Sequence, residues 1–198
     1  MRFPWKGTAS RLATAALAAL PLATLARGGS VAGRVEAQPA RLQDETVVYL
    51  EEVPGTPAPA THQVDQKGMK FIPMVLVVAA GDTVEFLNHD GVVHNVHSRS
   101  GDGFDLGWFR PLEKRSRTFP APGVYRIGCL IHPDMLGWVF VGRNRYAAAV
   151  DAKGRYAIED VPAGTYALAV WNANLPGARR SVTVVAGKAV EENFSLKR

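Results

Sequence analysis

Cysteine is almost missing from this chain of 198 residues, which carries a single one, Cys129. No disulfide can form within it, and an unpaired thiol in an oxidising compartment needs to be buried or ligated. Long apolar runs are scarce as well: after the N-terminal segment no stretch approaches the roughly 18 residues that argue for a membrane-spanning helix. Clustered basic residues are absent, since Lys and Arg are scattered among acids, and the stripe expected of a nucleic-acid footprint does not occur. Neither a nucleophile and base motif nor a phosphate-binding loop is present. No segment reads as an amphipathic helix.

Acidic residues are missing from positions 1–26, which begin with Arg2, Lys6 and Arg11 and continue in an Ala/Leu run from Leu12 to about Ala26. That run is too short to span a membrane, and the pattern predicts a cleaved signal peptide with the cut after Ala26 or after Ala32. A periplasmic or secreted protein is expected. With no cysteine nearby, a lipoprotein anchor is excluded. Removing the segment lowers the formal charge from +5 to about +2, too little to argue for a nucleic-acid partner.

What the chain does have is a dense run of metal-donor types in GCLIHPDM, where Cys129, His132 and Met135 recur at every third position. Thiolate, imidazole and thioether are the donors of a trigonal His2Cys copper site with a weak axial Met. The second imidazole has to come from elsewhere, and His94, in NHDGVVHNVHS at the end of a run that reads as a strand, is the candidate. A buried cysteine acting as a small hydrophobe is the plainer reading of Cys129; the His and Met at fixed spacing favour the metal.

The rest of the chain reads as strands. Thr83 to Leu87 alternates around Val84 and Phe86, Val124 to Ile127 around Tyr125, and Thr165 to Trp171 around Tyr166, Leu168 and Val170. Turn signals at Gly81-Asp82, Pro120 to Gly123, Asp151 to Gly154, Pro162 to Gly164 and Ala186-Gly187 separate them. An all-β sandwich or barrel is expected. A proline-rich stretch, Pro54 to Ala60, and Gly142 to Arg145 mark composition breaks, and all four candidate ligands lie between them.

Residues 62 to 142 resemble a cupredoxin, the plastocyanin and amicyanin class of small blue copper proteins. The carrying residues are Ala80-Gly81-Asp82-Thr83-Val84-Glu85-Phe86 with Asn88, His94-Asn95-Val96-His97, and Pro122-Gly123-Val124-Tyr125 leading to Cys129, His132, Pro133 and Met135. The two-residue gap before the methionine is similar to amicyanin. Residues 151 to 171 resemble a carboxypeptidase-regulatory-like, transthyretin-like β-sandwich, a family that usually begins with a strand pair such as Val31 to Val35 and Thr46 to Leu50. The combined resemblance implies a cupredoxin Greek-key sandwich at 61–142 inserted into, or packed beside, a smaller discontinuous sandwich formed by 31–60 and 143–198.

The resemblance implies His94, Cys129, His132 and Met135 as ligands of one type 1 copper ion. It also places His132 at the loop tip, its ring edge reaching redox partners through an apolar patch for which Leu130, Pro133, Leu136, Met69 and Met74 are candidates. Asn95 is the neighbour expected to steady the site. Its partner in the family is a Ser or Thr after the cysteine, and since Leu130 stands there, the tie from Asn95 has to reach backbone. Pro133 and Gly137 are expected to bend and stop the loop. His97, three residues after His94, is expected on the opposite strand face and at the surface, and His62 and His89 are expected to be solvated. Glu51-Glu52 and Arg179-Arg180 read as exposed charge pairs, and Asp102 and Asp105 as turn caps.

The expected function is a non-enzymatic one-electron carrier cycling Cu(II) and Cu(I). Five histidines are too few for the additional copper cluster of a multicopper oxidase or nitrite reductase. By family analogy the partners are redox proteins such as an amine dehydrogenase and a cytochrome c. Three alternatives stay open at this level: copper storage or delivery, an adhesion or scaffold module with incidental metal, and a zinc site that recruits His97 and leaves Met135 unexplained.

Overall fold

Val84, Phe86 and Asn88 face inward while Thr83, Glu85 and Leu87 are part-exposed, so one period-two pattern makes Thr83–Asn88 a strand with one face in a core. The computed structural model describes residues 28–198; the segment 1–26 expected to be a signal peptide lies outside the described residues. Among them there is no α-helix, only a 3-10 turn at Ala40–Glu45, and the all-β expectation holds.

The strands in chain order are β1 (Gly29–Gln38), β2 (Thr46–Leu50), β3 (Thr61–Gln66), β4 (Phe71–Ile72), β5 (Val75–Ala79), β6 (Thr83–Asn88), β7 (His94–Ser98), β8 (Phe104–Phe109), β9 (Lys114–Thr118), β10 (Gly123–Gly128) and β11 (Leu136–Gly142). They continue with β12 (Ala147–Ala149), β13 (Arg155–Val161), β14 (Gly164–Asn172), β15 (Ala178–Val184), β16 (Ala189–Glu191) and β17 (Phe194–Lys197).

Strands β3 to β11 pair only among themselves, in two sheets ordered β4-β3-β6-β9 and β5-β11-β10-β7-β8. Between the sheets lie Phe86, Phe109, Phe119, Val96, Ile127 and Val139. Each of these large side chains, fully withdrawn from water, contributes about 1.5–3 kcal/mol. The other strands form a second pair of sheets, β12-β2-β14-β15 and one in which β1 pairs with β13, β16 and β17, around Val35, Val48, Leu50, Ile158, Leu168 and Phe194.

Strands β1 and β2 do not pair with each other as the sequence suggested, but lie in opposite sheets. The physical cause is the crossing between them: Pro39 precedes the 3-10 turn, and that turn buries Leu42 in the shared core.

A third apolar cluster joins the two sandwiches. Val47, Tyr49 and Trp171 from β2 and β14 meet Val75, Val77, Trp138 and Phe140 from β5 and β11. The Phe140 ring stands 5.0 Å from Tyr49 and 6.0 Å from Trp171 between centroids. Two sheets therefore pack through their outer faces as well as their inner ones. This explains why β14 departs from the simple alternation read from its sequence: Ala169 is buried and Trp171 half-buried on the face expected to meet water.

Candidate metal centre

Antiparallel β10 and β11 are neighbours, with Gly128 opposite Leu136, so residues 129–135 form the closed connection between them. A loop this tight holds its three donors at one end of the sandwich. It is pinned inside by the Met135 N–H donating to the His132 carbonyl at 2.9 Å. Gly137 does not stop the loop as expected; it lies within β11, where a Cβ would stand 2.9 Å from the Met74 carbonyl and 3.2 Å from Phe71 Cβ. Only glycine lets the segment before β5 come that close.

His94 begins β7 rather than ending the preceding run, because β6 stops at Asn88 and residues 89–93 form a loop. Asn88, fully buried, organises that loop. Its amide donates to the carbonyls of Val92 at 2.9 Å and Phe109 at 3.1 Å, and its oxygen accepts the Asp90 N–H at 3.0 Å.

These two loops bring three donors together. His94 Nδ1 is 3.0 Å from His132 Nδ1, and His132 Nδ1 is 3.6 Å from Cys129 Sγ. The three ligand atoms all lie within 4.8 Å of one another, close enough to share one ion. His94 and Cys129 are buried, and His132 is half-buried. Met135 is 1% exposed and packs in the same apolar cluster as Cys129. A cysteine sulfur beside two imidazoles, with Met135 buried in the cysteine's own cluster, fits the donor preference of copper.

The surroundings fix how each donor presents itself. Asp90 Oδ2 lies 2.7 Å from His94 Nε2, and the same carboxylate accepts the N–H groups of Gly68 at 2.6 Å and Met69 at 3.0 Å. Burial alone would raise the Asp90 carboxyl, but the hydrogen bonds from Met69, His94 and Gly68 outweigh it and hold the pKa below the ordinary value. An ionised Asp90 only accepts, so His94 carries its proton on Nε2 and turns the Nδ1 lone pair toward Cys129 and His132.

Asn95 supplies a second restraint, and it is not the one expected. Its backbone N–H donates to Cys129 Sγ at 3.4 Å. Its side-chain amide donates to Asp105 Oδ1 at 2.6 Å and to the Gly107 carbonyl at 3.1 Å. The side chain thus reaches backbone at Gly107, as expected with Leu130 after the cysteine, and anchors β8, while the tie to sulfur comes from the Asn95 backbone N–H. Asp105 also caps its turn by accepting the Gly107 N–H at 2.8 Å.

The remaining histidines stay away from the three donors. His97 is half-buried rather than at the surface, its Nδ1 3.2 Å from Asn95 Oδ1. His89 pairs with Asp65 and His62 with Asp82, each at 2.9 Å, so neither is simply solvated. Sequence reading also missed Asp90 and Asp82. A carboxylate four residues before a candidate ligand was the available signal for Asp90.

Around half-buried His132 the loop exposes Leu130, Ile131 and Pro133, with Leu136 half-buried. Met69 is exposed and Met74 half-buried, and Val92 and Val93 are exposed on the loop that leads to His94. Elsewhere Glu51 and Arg179 pair with each other, and Asp102 pairs with Arg117 at 2.6 Å.

Comparison with known proteins gives two family matches. Residues 58–142 match the model described as copper binding proteins, plastocyanin/azurin family, and residues 142–192 match the one described as polysaccharide lyase family 4, domain II. Amicyanin-alpha of Methylorubrum extorquens is 36% identical over 96 residues, covering 46% of this chain and 80% of that protein. Amicyanin of Paracoccus denitrificans is 33% identical over 129 residues, covering 63% of this chain and 92% of that protein. Among solved structures, a Cu(I) amicyanin mutant is 32% identical with a TM-score of 0.39, covering 41% of this chain and 81% of that one.

Proposed function

The chain belongs to the plastocyanin/azurin family of copper-binding proteins as a relative of amicyanin, and from that premise we propose that it is an exported one-electron carrier and not an enzyme. In this reading His94, Cys129, His132 and Met135 would hold the ion. The observation that carries it is the convergence of three ligand atoms within 4.8 Å. Bound copper supplies a one-electron Cu(II)/Cu(I) couple.

The chain's own residues set the conditions for that couple. Asp90 holds the His94 ring in one tautomer and orientation. The Asn95 N–H supports negative charge on Cys129 Sγ. The two paired strands flanking the 129–135 loop hold the donors in one arrangement, which would lower the reorganisation that an electron transfer requires. Water is kept from sulfur by the same packing that leaves Cys129 only 5% exposed. His132, rimmed by exposed Leu130, Ile131 and Pro133, is the edge through which electrons pass to partners. Those partners, in the amicyanin-like reading, are a dehydrogenase as donor and a c-type cytochrome as acceptor.

Residues 1–26 form the export signal in this proposal and 61–142 the copper domain. Segments 31–60 and 143–198 together form a single outer sandwich. The test is retention and cycling. Copper-loaded protein is expected to stay blue through dialysis, to bleach with ascorbate and to recover with an oxidant over repeated cycles. A colourless protein that surrenders Cu(I) to a chelator would overturn the carrier reading in favour of copper delivery.

A further inference from the structure

The outer face of the β5-β11-β10-β7-β8 sheet is only half covered. The second sandwich seats on its β5 and β11 side through Val75, Val77, Trp138 and Phe140 and reaches the start of β10 at Val124, and leaves the end of β10 and β7 open. The register places Ile127 opposite Ser98 and Gly128 opposite His97. Carried one step further, it sets Arg99 beside Arg126, and the Arg126 N–H donates to Ser100 Oγ at 3.2 Å. Both arginines are exposed, and among the described residues neither has a carboxylate within ion-pair distance.

Like charges at facing positions of neighbouring strands destabilise a sheet. Folding alone would favour an acid at one of the two positions. The carboxylate nearest in register, Asp105 opposite His97, is taken up by Asn95 and Gly107. Gly128 has no side chain, and the His97 ring lies against it, its Cε1 3.3 Å from the position a Cβ would occupy, so that ring bridges Arg126 and the metal loop. A cleft of about 330 Å³ runs along it, lined by His97, Arg99, Arg126, Cys129, Leu130 and Pro133. Two arginines without an ion-pair partner among the described residues thus line the same cleft as Cys129, beside the apolar rim of His132.

We infer that this open half-face is a docking strip for a partner protein that presents carboxylates to Arg99 and Arg126 while its apolar surface meets the 130–133 rim. The inference rests on the electron-carrier reading. Charge complementarity of this kind raises the encounter rate and fixes orientation more than it raises affinity. The second sandwich has a part in it: by covering the β5 and β11 side, it directs an acidic partner to the side that abuts Cys129.

The test compares Arg99→Gln/Arg126→Gln with a control of equal charge loss on the far sandwich, Lys188→Gln/Lys197→Gln, in copper-loaded protein reduced to Cu(I). Each protein is oxidised by hexacyanoferrate(III), an anion, and by tris(phenanthroline)cobalt(III), a cation, each taking one electron. In the strip variant the hexacyanoferrate rate is expected to fall by about fivefold at low salt and the cobalt rate to rise, against less than about twofold in the control. Nuclear magnetic resonance of the Cu(I) protein with added hexaglutamate is expected to shift amides at 97–100 and 126–130. Equal effects in both variants would overturn the inference, as would hexaglutamate shifts elsewhere. So would a strip that binds phosphatidylglycerol vesicles but not hexaglutamate, or self-association abolished by the strip variant. A protein that exchanges electrons with neither reagent would sink the carrier reading, with the hexaglutamate shifts still deciding the strip.

Discussion

Asp90 Oδ2 stands 2.7 Å from His94 Nε2 while the same carboxylate holds the N–H groups of Gly68 and Met69. One side chain therefore joins His94 at the start of β7 to the turn between β3 and β4. Met69 lies in the left-handed region there, at φ 60°, a conformation that costs a non-glycine residue about 1 kcal/mol or more.

Asp90→Asn keeps the size of the side chain and removes its charge. Copper affinity is expected to fall by about 10–100-fold, measured by competition with a chelator of known affinity. The β3–β4 turn is expected to exchange its amide hydrogens faster. An unchanged affinity would mean that His94 is oriented by packing alone.

Asp82 makes a similar tie away from the metal. Burial alone would raise its carboxyl, but hydrogen bonds from the Ala79 and Ala60 N–H groups and from His62 outweigh it and lower the pKa. A folded pKa below the unfolded value of about 3.9 means that its contribution is complete above that pH and is lost as pH falls through the folded value. Asp82→Asn is expected to cost about 1–3 kcal/mol at pH 7. The gap to the parent protein should begin to narrow as pH falls below the unfolded carboxylate value, about 3.9, as followed by denaturant midpoints across pH.

Phe140 sits between Tyr49 and Trp171 at the junction of the two sandwiches. Phe140→Ala is expected to cost about 3–5 kcal/mol and to split one unfolding transition into two. Loss of copper colour and the change in tryptophan fluorescence, coincident in the parent, should then separate. Coincident transitions in the variant would show that other contacts couple the sandwiches.

Gly137→Ala tests the tight approach behind the metal loop. The added methyl meets the Met74 carbonyl at 2.9 Å and Ile127 Cγ1 at 3.3 Å, so β11 has to shift. A loss of about 1–3 kcal/mol is expected, with faster copper release because Met135 lies two residues away. Wild-type stability and copper release would show that the strand gives way without disturbing the site.

Much of this architecture was legible because chemistry and periodicity are local. Val84 and Phe86 announce β6, and the three-residue spacing of Cys129, His132 and Met135 announces the loop. What sequence could not supply were contacts made across the fold. The face of β14 bearing Trp171 looks solvent-bound until a second sheet covers it. Whether β1 and β2 share a sheet depends on the 3-10 turn between them, and the route of the Asn95 amide to Asp105 depends on β8 folding back beside β7.

The visible spectrum of copper-loaded protein beside Cys129→Ser tests the central claim most directly. The parent is expected to show an intense thiolate-to-copper band that the serine variant lacks, while Met135→Gln keeps the band at a lower redox potential. A Cys129→Ser protein that stayed blue would contradict the assignment of the ligands.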